Sequence, residues 1–164
     1  MRAAASQGGY LLSEYDRWLL GLADRHRALE PVPGAKTAGW LLGHLVVTGD
    51  FGRRLCGLRP ISPKEWRPSF APGTTPSLDV APYPAMEALL ETFRAVYRDF
   101  VANAPLATAE TLGAPNPYEP ARAGFPTAGA FAAYLLTGHL AYHLGQLSLW
   151  RTAAAVADPT LRSL

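Results

Sequence analysis

The chain has 164 residues, 49% of them apolar and 17% charged, with fifteen basic residues against thirteen acidic ones. That length suits one domain over 1–164 with a core that needs no metal or disulfide staple, and high apolar content at small net charge is the reverse of a disordered composition. The compact basic groups, Arg25-His26-Arg27 and Arg53-Arg54, are too small a positive field for nucleic acid and read as solvated helix faces.

Four segments carry helical periodicity. The first runs over 7–29, with Tyr10, Leu11, Tyr15, Trp18, Leu19 and Leu22 at three- and four-residue steps; Pro31 and Pro33 end it. Residues 1–9 read as a frayed end. The second runs over 37–56, opened by Thr37 as N-cap and stopped by Gly57 and Pro60. The third runs over 84–103, with proline in its first turn and Pro105 as its stop. The fourth runs over 127–156, after Pro126 and before Pro159. Helices 1 and 2 share a short loop, so they are expected to be antiparallel neighbours. Residues 58–83 hold six prolines and residues 104–126 hold five. Neither stretch reads as strand, because proline removes ladder donors. Four helices with two long Pro-rich connections make an all-α four-helix bundle.

One cysteine, Cys56, permits no intrachain disulfide. With no secretory signal visible, a cytoplasmic location is expected, and Cys56 reads as a structural thiol. Between Arg122 and Arg151 lie 28 residues without Asp, Glu, Lys or Arg. The stretch has membrane-spanning length. His139, His143, Gln146, Thr137 and Ser148 lie within or beside its apolar run, and such groups are costly in lipid. It therefore reads as the innermost helix of a soluble bundle, with no membrane partner.

His139 and His143 stand four residues apart, on one helix face and about 5–6 Å apart at Cβ. Leu136, His139, Leu140, His143, Leu147 and Trp150 share one stripe, which places both histidines toward the core. On the second helix Trp40, Leu41, His44, Thr48, Phe51 and Leu55 form the apolar stripe, with His44 in its middle. Three of the four histidines thus point inward from two helices. A buried imidazole needs a partner. It is either a core residue bonded to a carbonyl or hydroxyl, or part of a metal site built from facing helices.

Trp40-Leu41-Leu42-Gly43-His44-Leu45, Tyr83-Pro84, the run Gly138 to Leu147 with its H-x-x-x-H-x-G-Q-L pattern, and Leu149-Trp150-Arg151 resemble the DinB/YfiT-like family of metal-binding four-helix bundles. The resemblance covers the chain from the first helix to about Ala155. It implies an up-down-down-up bundle, frequent homodimers, and a divalent metal on His44, His139 and His143. Family members include thiol-dependent S-transferases and a maleylpyruvate isomerase, and others are classed as hydrolases.

Three imidazoles suit zinc, nickel or iron and leave coordination positions open. Two reaction types follow for a small-molecule substrate: hydrolysis, or group transfer from a low-molecular-weight thiol. The resemblance favours the second, an S-transferase acting on a small electrophile. A non-catalytic, stress-related bundle that holds metal or an apolar ligand is the reading from another class. Around the ligands, Gln146 is one turn beyond His143 and placed to orient it; Tyr142 could donate a hydrogen bond or simply pack. Asp50 and Glu14 are the candidate general bases, although Asp50 is about 240° round the helix from His44. Arg53 and Arg54 are candidates to hold a carboxylate of a thiol cofactor. No catalytic residue beyond the ligands is fixed.

Overall fold

The computed structural model describes residues 1–162. Seven α-helices run α1 Arg2–Leu19, α2 Ala38–Leu55, α3 Arg67–Phe70, α4 Met86–Asn103, α5 Ala109–Gly113, α6 Ala128–Leu136 and α7 Gly138–Ala157. Among the described residues there is no strand, only one isolated bridge between Pro115 and Thr127. No described helix is long and apolar enough to cross a membrane.

The long helices pack as a bundle in which α2 lies against α4 and α6, and α1 against α4 and α7. Helix α4 buries Met86, Leu89, Phe93, Val96, Tyr97 and Phe100, a three-and-four-residue stripe. It meets α2 where α2 has no side chains. A Cβ on Gly49 would lie 2.8 Å from the Tyr97 ring, and one on Gly52 would lie 2.5 Å from Phe100. These two glycines set the helix separation. Asp24 caps the start of α4, its carboxylate accepting from the Met86 N–H at 2.7 Å. Arg27 donates to the carbonyls of Tyr83 and Pro84 just before it.

Four expectations need correction. Helices α1 and α2, joined through a short connection, are not packed neighbours: each lies against α4 and α6 instead of against the other. The first helix begins at Arg2, so the N-terminal residues form an ordered turn rather than a frayed end. It stops at Leu19 instead of running to 29, because Gly21 takes a positive φ of 73°. The guanidinium of Arg151 donates to the carbonyls of Trp18 and Leu20, satisfying the end of the helix from across the bundle. The fourth helix is two. Thr137 leaves helical geometry at φ −125°, ψ −83°, and its hydroxyl donates to the Ala133 carbonyl at 2.8 Å. Finally, the innermost helix is α2, whose residues are buried on almost every side. The charge-free α7 instead leaves Ala141, Tyr142, Gly145, Leu149 and Val156 exposed.

The α2 helix tolerates burial of charge because that charge is paired. Arg53 donates to Asp50 at 2.7 Å and to Asp99 at 2.7–2.8 Å, and to the Arg59 carbonyl at 2.8 Å. The Asp50 carboxylate also accepts from the backbone of Ile61 and Ser62 and from the Ser62 hydroxyl. This network anchors the first Pro-rich connection to the bundle. The second connection is held by Asn116, fully buried, whose amide donates to the Phe125 carbonyl at 3.0 Å and accepts from Tyr118 N–H at 2.9 Å. Arg122 donates to the Asn116 carbonyl at 2.7 Å. The segment is a closed, bonded loop, and it places Tyr118 and Phe125 over α6.

Candidate metal centre

The fold brings His44 of α2 together with His139 and His143 of α7. One nitrogen from each lies within 4.8 Å of the others, a group that could hold a metal ion. His44 and His143 are buried and His139 is partly buried. Trp40, one turn before His44, stacks on its ring at 4.7 Å and 9°.

Each outer nitrogen decides what its inner nitrogen can do. His44 Nδ1 lies 2.8 Å from the Phe70 carbonyl, which only accepts, so Nδ1 carries the proton and donates. Its Nε2 is then a lone pair. His143 Nδ1 lies 2.7 Å from the Gln146 amide oxygen and donates in the same way, leaving a second Nε2 lone pair. Both point at His139 Nε2, at 3.3 Å and 3.2 Å. A single N–H there satisfies one of them at most. His139 Nδ1 is buried with no partner among the described residues. Metal-free, the triad therefore leaves at least one buried polar atom unpaired, which is costly. A cation at the three Nε2 atoms would take all three lone pairs, so the residues fit a divalent ion.

Burial drives all three imidazoles toward the neutral form. It pushes His139 down to about 3 and His143 down to about 4, with repulsion from neighbouring imidazoles second in both cases. His44 is lowered by burial too, against the opposing pull of its bond to Phe70. His26, the fourth histidine, is different. It is fully buried away from the triad, accepts from Ala23 N–H at 2.9 Å and donates to Asp158 at 2.9 Å. It is a satisfied core histidine.

The sequence explains the fixed rotation of His44 through its neighbour. A Cβ on Gly43 would lie 2.4 Å from the Phe70 ring, closer than any real contact. Glycine there admits Phe70, and Phe70 brings the carbonyl that orients His44.

The triad opens onto a cavity of about 690 Å³ with His44 and His139 in its wall. Phe51, Tyr118, Phe125, Phe131 and Tyr134 line it. Tyr118 stacks on Phe131 at 5.7 Å and 5°, and Phe131 on Tyr134 at 6.1 Å and 10°. Tyr134 meets the His139 ring edge-on at 5.9 Å. Among the described residues no acidic side chain lines the cavity, and Arg67 is the one charged residue that does.

Gln146 sits where it holds His143. Tyr142 is exposed and meets the His143 ring edge-on at 5.1 Å; its hydroxyl has no partner among the described residues. Asp50 is committed to Arg53 and the first connection, and neither it nor Glu14 reaches the cavity wall. Arg53 is buried and saturated, so it cannot receive a ligand carboxylate. Arg54 lies over the Phe51 ring, 5.8 Å from its centroid, and does not line the cavity. Cys56 is buried, its thiol pushed up to about 11 by burial, which keeps it protonated and inert. The aromatic wall and Arg67 were not singled out from sequence. Four of the five rings fall in the second Pro-rich connection and the charge-free stretch, and that clustering was the available signal.

The sequence model of the DinB superfamily matches residues 12–147, a span that contains all three histidines. No curated protein and no solved structure matches the chain.

Proposed function

The chain belongs to the DinB superfamily, and from that premise and the triad geometry we propose a divalent-metal-dependent enzyme of the thiol S-transferase type, acting on a small electrophile. One observation carries the reading: three neutral imidazoles converge beside a ligand-sized cavity whose wall includes two of them, with no fourth ligand in the group among the described residues. Structural zinc sites are usually closed by four protein ligands, whereas catalytic ones keep a position open. A bound divalent ion lowers the pKa of a thiol or water that reaches it and so supplies a nucleophile at neutral pH.

The residues of the chain do the rest. Phe70 and Gln146 hold His44 and His143 in the tautomer that offers Nε2 inward. Among the described residues no carboxylate shares the triad, so the protein would not offset a bound ion's charge, which would favour an anionic sulfur over neutral water. The wall surrounds the electrophile chiefly with apolar side chains. In the transfer, the thiol sulfur forms the new bond to the electrophilic carbon, the leaving group departs with its bonding pair, and the thiol proton passes to solvent. Zinc, nickel and iron all suit an imidazole set.

The direct test is elemental analysis of tag-free protein, followed by a panel of low-molecular-weight thiols with an electrophilic acceptor beside a panel of esters and amides. Stoichiometric metal with thiol-dependent turnover is expected. No metal after reconstitution sinks the reading; turnover of esters or amides alone replaces it with a hydrolase.

A further inference from the structure

The cavity is more specific than a generic apolar pocket. Its volume falls inside the roughly 300–1,000 Å³ of small-molecule sites. Five of its lining residues are Phe or Tyr, and Tyr118, Phe131 and Tyr134 lie nearly parallel. These rings stack on one another, and the aromatic surface they leave toward the cavity suits a flat aromatic guest by offset and edge contacts. Its polar content is sparse. The hydroxyls of Tyr118 and Tyr134 have no hydrogen-bond partner among the described residues, and the Thr48 hydroxyl is already donated to the His44 carbonyl at 2.7 Å.

Arg67 adds one formal charge. It stands at the start of α3, is exposed, and forms no ion pair and no side-chain hydrogen bond among the described residues. Arg53 is engaged by two carboxylates and Arg122 by the Asn116 carbonyl, while Arg54 lies over the Phe51 ring and does not line the cavity. An unengaged guanidinium on the rim of an otherwise uncharged aromatic cavity is a receptor for one planar anion, which its fork binds in two parallel hydrogen bonds.

We propose that the cavity binds a small aromatic carboxylate, its ring among Phe51, Tyr118, Phe131 and Tyr134, its carboxylate on Arg67, and its far edge toward His44 and His139. As acceptor in the reaction proposed above, such a molecule carries its electrophilic carbon and leaving group on that far edge, and the inference rests on that reading only for the claim that the bound molecule is the one transformed. Arg67 is a substrate-binding residue. It lies in the first Pro-rich connection, not on α2 with the Arg53 and Arg54 pair that sequence alone brought forward.

Calorimetric titration of the full, tag-free chain with 2-naphthoate and with its neutral amide, 2-naphthamide, tests it. Naphthoate is expected to bind one per chain and to weaken about tenfold in Arg67→Gln, the loss of one charge-assisted hydrogen-bonded pair. Naphthamide should bind wild type and Arg67→Gln alike. Ala121→Phe, a substitution in the cavity wall at a partly exposed position, should weaken both ligands with an unchanged thermal melt. Naphthoate binding that ignores Arg67→Gln, or survives Ala121→Phe intact, overturns the inference. Metal content of the same samples separates the two readings. Arg67-dependent naphthoate binding by protein that never holds metal keeps the cavity assignment and removes the transferase. Metal uptake with no preference for naphthoate over naphthamide does the reverse.

Discussion

Two glycine-to-alanine substitutions close to the triad should act in opposite directions. In Gly43→Ala the new methyl would sit 2.4–2.5 Å from three atoms of the fully buried Phe70 ring. Overpacking of this kind costs about 1–3 kcal/mol, while alanine recovers about 0.8–1.0 kcal/mol of helix propensity. The net expectation is a loss of up to about 2 kcal/mol. Gly145→Ala lies on α7 between His143 and Gln146, with nothing within 4 Å of its new methyl, and should gain about 0.5–1 kcal/mol. The second readout is metal affinity. Relief of the Gly43→Ala clash must move Phe70, whose carbonyl holds His44 at 2.8 Å. Loss of such an outer partner lowers metal affinity about 10–100-fold. Urea unfolding of metal-free protein reads the first quantity, and competition for zinc with a chelator reads the second. Gly145→Ala should leave zinc affinity unchanged. A Gly43→Ala protein that keeps full zinc affinity while losing stability would refute the link from Gly43 through Phe70 to His44; one that gains stability as Gly145→Ala does would show that the ring yields freely.

The remaining predictions address other parts of the molecule. Gln146→Leu removes the acceptor 2.7 Å from His143 Nδ1 and should weaken zinc about 10–100-fold, while Tyr142→Phe, changing only an unpartnered hydroxyl, should leave it within twofold, the two read side by side in one competition assay. Arg53→Met strands the buried Asp50 carboxylate and should lower stability by about 3–5 kcal/mol in urea unfolding, with no change in zinc affinity beyond that expected from unfolding. Asp158 accepts from Thr160, Arg25 and His26, bonds that hold its carboxyl below the usual carboxylate range. Because its folded pKa is depressed, its contribution is present above pH 4 and lost as pH falls below the unfolded value toward the folded one. Asp158→Asn should therefore flatten the acid limb of a stability–pH curve, and an unchanged limb excludes the cluster as a source of acid lability.

What could be read from sequence divides by range. His44, His139 and His143 were legible because helix periodicity is local: a four-residue step fixes a face, and an apolar stripe fixes its direction. The break at Thr137 was not, since no proline marks it and a threonine hydroxyl can take a backbone carbonyl without any pattern in its neighbours. The end of α1 lay in plain view at Gly21, but Leu22 kept the periodicity alive past it. Arg67 and Tyr118 were out of reach for a different reason. They sit in connections without periodicity, whose course is set by side-chain bonds to the backbone nine to twelve residues away, Asp50 to Ile61 and Ser62 in one, Asn116 to Phe125 in the other.

That division also changes what the charge-free stretch means. Burial alone does not explain it, because the more deeply buried α2 carries Asp50 and Arg53 while α7 exposes an uncharged face. Position explains more. Helix α6 supplies Phe131 and Tyr134 to the cavity and α7 supplies His139 to its wall. An acidic side chain here would offset a cation on the triad or repel an anion seated on Arg67. A basic one would compete with the cation. Charge is therefore confined to the rim, at Arg67, and the prediction that separates this view from simple burial is local. Leu135→Glu, in the wall, should abolish naphthoate binding in soluble protein, whereas Leu149→Glu, on the exposed face of α7, should leave it unchanged.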